Sequence, residues 1–280
     1  MGVGVAVLDE IIILENFKKS GQRQVSRIQH SKYGECIMKR GVCKSTSSLE
    51  RMKREVKILR DINSIYYPKN FEFKCNEIGE FIIYEQYIKS HTLTELAHEF
   101  INDEQKVIRL CLNIIEGLEL LWTNNIVHRD LKPDNILIND GGMPIIIDLG
   151  IARVLDDKSL TMTMSPHGPC TPIYASPEQL NNSKGLIDKR SDFYSLGIIM
   201  AELLLGYHPF SVQVVGEGMS TLENMMSNKY QLSYSNIMIS IELKKVINRL
   251  LMTKPYQRYR TSEMLKNDLN KLLQVKKEAI

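Results

Sequence analysis

Short apolar runs separated by polar turns dominate the first ninety residues. IIIL (residues 11–14), VSRI (25–28) and ECIMK (35–39) each suit a strand of a small sheet, and FIIYEQYI (81–88) suits another. Between them the period changes. Leu49, Met52, Val56 and Leu59 recur every three or four residues, which predicts a helix over 47–62 with Ser47 or Ser48 as its N-cap. After Leu93 helical spacing prevails. Val107, Leu110, Cys111, Ile114, Ile115, Leu118 and Leu121 form one long stripe, and further helices are predicted over 191–205, 240–252 and 261–275. Two short strands, NILI and PIIID, flank a Gly141-Gly142 turn. The polar stretch 153–176 holds Pro166, Gly168, Pro169 and Pro172 and is predicted to form no regular element. The pattern therefore predicts a sheet-rich unit followed by a mainly helical one, with the seam in residues 87–93.

The 280 residues, 43% apolar and 25% charged, suit a soluble globular protein with a sizeable core. A net charge of +3 is too mild to argue for nucleic acid. Five scattered cysteines, with no CxxC pair, speak against a disulfide framework and a zinc site and point to a reducing, cytoplasmic setting. The N-terminus lacks a basic region ahead of its apolar residues, so no signal peptide is expected. Ala6 breaks the myristoylation pattern. The longest apolar stretch, LGIIMAELLLG, contains Glu202 and is too short to span a bilayer, so a buried helix is expected and no membrane contact.

Chemistry concentrates after the helical stripe. HRDLKPDN (128–135) is followed by DLG (148–150), placing two acidic groups and an amide on adjacent loops. Oxygen donors of this kind suit Mg²⁺ beside phosphate oxygens. One carboxylate is left to orient a hydroxyl nucleophile, and Lys132 would set positive charge beside a transferring phosphoryl group. In the sheet-rich unit Lys39 ends a strand and could meet Glu55 on the following helix.

Together HRDLKPDN, DLG, the lysine of CIMK and SPE (176–178) resemble the eukaryotic-like serine/threonine protein kinases, over roughly residues 12–273. The resemblance implies an α+β fold of two lobes within one kinase domain, residues 1–280. A small antiparallel sheet with one helix would occupy 1–88, and a larger, mainly helical lobe 89–280. It implies ATP and Mg²⁺ as cofactors and a protein substrate. Asp130 would be the catalytic base, Asn135 and Asp148 the metal ligands, and Lys39 the contact to the α/β-phosphates, paired with Glu55. Lys132 marks the serine/threonine form of the loop. CTPIYASPE (170–178) resembles the peptide-docking element, with Thr171 bridging Asp130 and Lys132. Glu178 would pair with Arg258, and Asp192 would hold the catalytic-loop backbone, both as scaffold. His128 reads as a packed support of the loop. Arg129 implies control by phosphorylation of the following segment, with Thr161, Thr163 and Ser165 as candidates. Any sensor is expected on a separate regulatory partner.

The departures lie around the nucleotide. Leu149 stands where phenylalanine is commoner, and Ile37 where a small alanine is usual; Leu137 would form the opposite wall of the pocket. Counting back from Thr92-Leu93 puts the gatekeeper at Glu85, with Gln86 and Tyr87 next; a one-residue shift makes it Tyr84. A buried glutamate there is costly unless paired. In KKSGQRQV (18–25) the glycine positions of the phosphate-covering loop fall on Lys18, Ser20 and Arg23. Only Gly21 remains, upstream of Val25. Lys18, Lys19 and Arg23 either replace the glycine backbone with charge or form a solvated basic turn. The glycine-poor loop motivates a rival reading, a pseudokinase that binds nucleotide as a scaffold. A small-molecule kinase is disfavoured by SPE and Lys132.

Overall fold

The computed structural model describes residues 10–17, 23–43, 46–148, 153–154, 171–215, 220–227 and 239–275. The chain divides into two compact units, 1–89 and 90–280. The first contains strands β1 (Ile11–Asn16), β2 (Arg23–His30) and β3 (Gly34–Val42), helix α1 (Thr46–Asp61), then β4 (Asn70–Cys75) and β5 (Glu80–Gln86). The strands form one antiparallel sheet in the order β1-β2-β3-β5-β4. Alternation along each strand splits its side chains between two faces. One face buries Ile28, Cys36, Met38 and Tyr84 with Tyr33, Phe71 and Ile82. The other buries Phe81 and Ile83 against Val56 of α1, with Cys43 and Phe73.

Strand β4 is not among the predicted strands, although Phe71 and Phe73 alternate with Glu72 and Lys74. The register slips between Asn70 and Glu72. The slip lets Phe71 join one core while Phe73 joins the other.

The second unit opens with β6 (Ser90–Thr92) and α2 (Leu93–Leu96), joined by a capping box between Thr92 and Glu95. Helix α3 (Glu104–Trp122) follows, its N-cap Asp103 accepting from Lys106 N–H at 2.9 Å. Then come β7 (Ile126–Val127), β8 (Ile136–Asn139), β9 (Pro144–Ile146) and β10 (Arg153–Val154). Strands β6, β8 and β9 form a small sheet, and β10 pairs with β7. That pairing corrects the expectation of no regular element over 153–176. Two residues suffice for a backbone ladder, and no side-chain period announces it.

The remaining helices are α4 (Pro177–Leu180), α5 (Lys189–Leu205), α6 (Val212–Val215), α7 (Thr221–Met226), α8 (Ile241–Leu250) and α9 (Ser262–Val275). The stretch LGIIMAELLLG belongs to α5, which is buried almost all round and packs against α3 and α8. Among the described residues no helix is long and apolar enough to cross a membrane. Helix α5 ends at Gly206, whose φ of 74° is the left-handed cap that glycine adopts without strain.

Gly197, midway along α5, sets the closeness of α8: a Cβ there would stand 2.7 Å from the Leu250 Cβ and 3.2 Å from a Leu251 methyl. The Leu250 Cβ is tied to its backbone and cannot swing aside. Gly197→Ala is therefore expected to cost about 1–3 kcal/mol by overpacking. A thermal melt should show a fall of several degrees; an unchanged melting temperature would mean that α8 can withdraw freely.

Candidate active site

The segment between β7 and β8 carries HRDLKPDN, and its shape is imposed by Asp192 of α5. The Asp192 carboxylate accepts the backbone N–H of His128 at 3.0 Å, that of Arg129 at 2.9 Å, and the indole N–H of Trp122 at 2.8 Å. Burial pushes the Asp192 carboxyl up; the His128 imidazole and these donors pull the other way. Arg129 takes a left-handed backbone, φ 71°, which for a non-glycine residue costs on the order of 1–2 kcal/mol. His128 is fully buried. Its Nδ1 accepts from Asp130 N–H at 3.3 Å, and its Nε2 lies 3.3 Å from the Ile147 carbonyl.

Asp130 is thereby turned toward Thr171, Lys132 and Asn135. Its Oδ1 accepts the Thr171 N–H at 2.8 Å, and its Oδ2 accepts from Asn135 Nδ2 at 3.2 Å. Lys132 Nζ donates to the Thr171 hydroxyl at 2.8 Å and stands 3.5 Å from Asp130 Oδ2. Asn135 Nδ2 also donates to the Asp130 carbonyl at 2.9 Å. Both of these bonds use the amide nitrogen, which leaves the oxygen of Asn135 as the atom to take a cation. Asp148 follows directly on the Ile147 N–H that donates to the Asn135 carbonyl at 3.0 Å, so the two candidate ligands sit at neighbouring ladder positions. Asp148 is also left-handed, φ 63°. Among the described residues no three His, Cys, Asp or Glu side chains form a metal site of their own. A cation here would need phosphate oxygens and water as well, which is how Mg²⁺ is usually held. Leu137, half-buried on β8, pairs with Thr92 and Ile145.

In the first unit the β3–β5 register opposes Lys39 to Ile83 and Ile37 to Glu85. Lys39, Ile37, Ile83 and Glu85 therefore share a face, together with Val25, which opposes Lys39 on β2. Tyr84 belongs to the opposite face, in the core with Met38. Of the two gatekeeper candidates, Glu85 rather than Tyr84 shares the face of Lys39. Lys39 Nζ pairs with Glu85 Oε2 at 2.8 Å. Gln86 holds the backbone of Lys69: its N–H donates to the Lys69 carbonyl at 2.8 Å, and its Oε1 accepts the Lys69 N–H at 3.3 Å. The Arg27 guanidinium lies over the Tyr87 ring, 4.4 Å from its centroid. Glu55 stands on α1, but its side chain lies outside the described residues, as do Lys18, Lys19, Ser20, Gly21, Leu149, Thr161, Thr163 and Ser165.

The protein kinase domain family profile matches residues 22–269. The chain belongs to the protein kinase family. The kinase domain is 32% identical over 187 residues to the probable serine/threonine-protein kinase PknB of Bifidobacterium longum, covering 62% of this chain and 26% of that protein. It is 26% identical to a probable serine/threonine-protein kinase of Streptomyces coelicolor, covering 91% and 38%. It is 28% identical to serine/threonine-protein kinase PknB of Mycobacterium leprae, covering 83% and 37%. The matches span between about a quarter and two-fifths of the length of these relatives.

The kinase domain stabilises the segment after Thr171 with a buried ion pair. Arg258 Nη1 and Nη2 donate to the two Glu178 oxygens at 2.7 and 2.9 Å. The rest of the guanidinium reaches the carbonyls of Met252, Arg190 and Thr253. Ser191 Oγ adds a 2.7 Å bond to Glu178. Three partners in this region escaped the sequence reading. Gln179 Nε2 donates to the Arg129 carbonyl at 2.7 Å, Tyr174 donates to Glu202 at 2.7 Å, and His208 Nε2 donates to the Ile173 carbonyl at 2.8 Å. Only Gln179 had a signal, its place beside Glu178; the others meet across 28 and 35 residues of chain.

Two predictions follow from these contacts. Removing one partner of a buried pair leaves an uncompensated charge, so Arg258→Met should destabilise the kinase domain by about 3–5 kcal/mol. Arg258→Lys should recover only part of the loss, because an ammonium lacks the planar fork that meets Glu178 and three carbonyls at once; denaturant unfolding checks both. The second concerns acid. Burial holds His208 down at about 4, with Nδ1 accepting the Phe210 N–H and Nε2 donating, so the folded state keeps it neutral. Its contribution is complete above the unfolded value near 6.5 and is lost as pH falls toward 4, roughly 3 kcal/mol in all. His208→Gln should flatten that part of the stability-against-pH curve; a slope equal to wild type would refute the assignment.

Proposed function

We propose that this kinase domain transfers the γ-phosphoryl group of ATP, with Mg²⁺, to serine or threonine hydroxyls of protein substrates. The observation that carries the reading is the Asp130 cluster, in which one carboxylate is held by the Thr171 N–H, Asn135 and Lys132. Bound Mg²⁺ would neutralise charge on the phosphates, with Asn135 and Asp148 as its protein ligands. Asp130 accepts the proton of the attacking hydroxyl and aims its oxygen. Lys132, already at the Thr171 hydroxyl, faces the charge that develops on the transferred group. Lys39 contacts the α/β-phosphates. Little covalent chemistry is asked of the protein; positioning and charge supply the rate.

The relatives named as serine/threonine-protein kinases support this reading, as does Lys132 within the loop. Control by phosphorylation at Thr161, Thr163 or Ser165 rests on Arg129 preceding Asp130.

The test is transfer of label from γ-labelled ATP to a generic protein substrate in the presence of Mg²⁺. Wild type should incorporate label, and Asp130→Asn should lower kcat by at least about 100-fold while still binding ATP. Nucleotide binding without transfer by wild type would replace the proposal with the scaffold reading.

A further inference from the structure

Lys39 is held from within its own sheet. The Glu85 side chain is 3% exposed and that of Lys39 13%, and their 2.8 Å contact runs diagonally between adjacent antiparallel strands. The β3–β5 ladder continues without a register slip from Cys36↔Gln86 to Val42↔Glu80, so both Cα positions are fixed by backbone hydrogen bonds. The second carboxylate oxygen, Oε1, is buried and has no hydrogen-bond partner among the described residues. The carboxylate therefore meets its cation through Oε2 alone, and a carboxylate so buried needs that cation.

We propose that Glu85 is a positioning residue for the phosphate-contacting lysine, fixing the Lys39 ammonium from β5 rather than leaving that task to a carboxylate on α1. An ammonium has three donors. One stays on Glu85 while the others turn to a phosphate or to a second carboxylate. A lysine anchored this way has a fixed partner in its own sheet, beside any partner that α1 supplies. The proposal rests on the reading of Lys39 as a phosphate contact.

Two measurements test it on the full chain. The first is the dissociation constant of a non-hydrolysable ATP analogue with Mg²⁺. Glu85→Gln should weaken binding about tenfold, Glu85→Asp should restore part of it, and Glu55→Gln should weaken it less than Glu85→Gln. The second is the rate at which an amine-reactive reagent labels Lys39, read by mass spectrometry, with exposed Lys271 as internal reference. Losing the carboxylate should raise the Lys39 rate several-fold relative to Lys271, and this readout needs no turnover.

Unchanged or tighter analogue binding in Glu85→Gln, with unchanged labelling, overturns the proposal. So does a larger binding loss in Glu55→Gln than in Glu85→Gln. If Glu85→Gln does not fold, Glu85→Asp carries the test: labelling and affinity equal to wild type overturn the proposal, and intermediate values support it. Label transfer by wild type with a null result at Glu85 sinks this inference alone. A wild type that transfers no label, yet shows the Lys39 labelling response, sinks the kinase reading and leaves the ion pair standing.

Discussion

A single buried carboxylate, Asp192, organises the second unit's chemistry. Two consecutive backbone N–H groups and an indole converge on it. They force Arg129 into a left-handed conformation that arginine does not favour. The turn made there directs Asp130 toward Thr171 and Asn135. Because Asp192 sits on a helix buried almost all round, the loop inherits the rigidity of the core. Burial alone favours the neutral form of Asp192, and the donors around it oppose that tendency. A change at Trp122, 70 residues away in sequence from Asp192, would therefore reach Asp130 through this carboxylate.

The same arrangement recurs within each unit: a buried acidic group answered by a cation or by several N–H donors. Glu178 is answered twice by Arg258, and Glu85 by Lys39. Each pair closes a long sequence interval. An ionic core contact of this sort adds little net stability compared with well-packed apolar residues, but removing one member is costly. Such pairs fix geometry more than they add stability, and geometry is what phosphoryl transfer asks of a protein.

Much of this was legible in the residues. Helical spacing located α1, α3, α5, α8 and α9 to within a few residues, because each has an apolar face or is apolar throughout. The loop motif announced Asp130, Lys132 and Asn135 by order and spacing. Strand β4 went unpredicted although Phe71 and Phe73 alternate with Glu72 and Lys74, and β10 has only two residues. Counting residues left Tyr84 and Glu85 open as gatekeeper, since a strand has two faces and counting cannot say which one turns to Lys39. The β3–β5 register does. Trp122–Asp192, Tyr174–Glu202 and His208–Ile173 are tertiary contacts with no local signature.

The left-handed backbones at Arg129 and Asp148 have an evolutionary consequence. Glycine would relax either position, and neither residue is glycine. The chain thus forgoes a readily available gain in stability at two neighbouring loops in order to place particular side chains there. Glycine at either site would trade local strain against the loss of that side chain. Thermostable descendants of this sequence would be expected to gain their stability elsewhere.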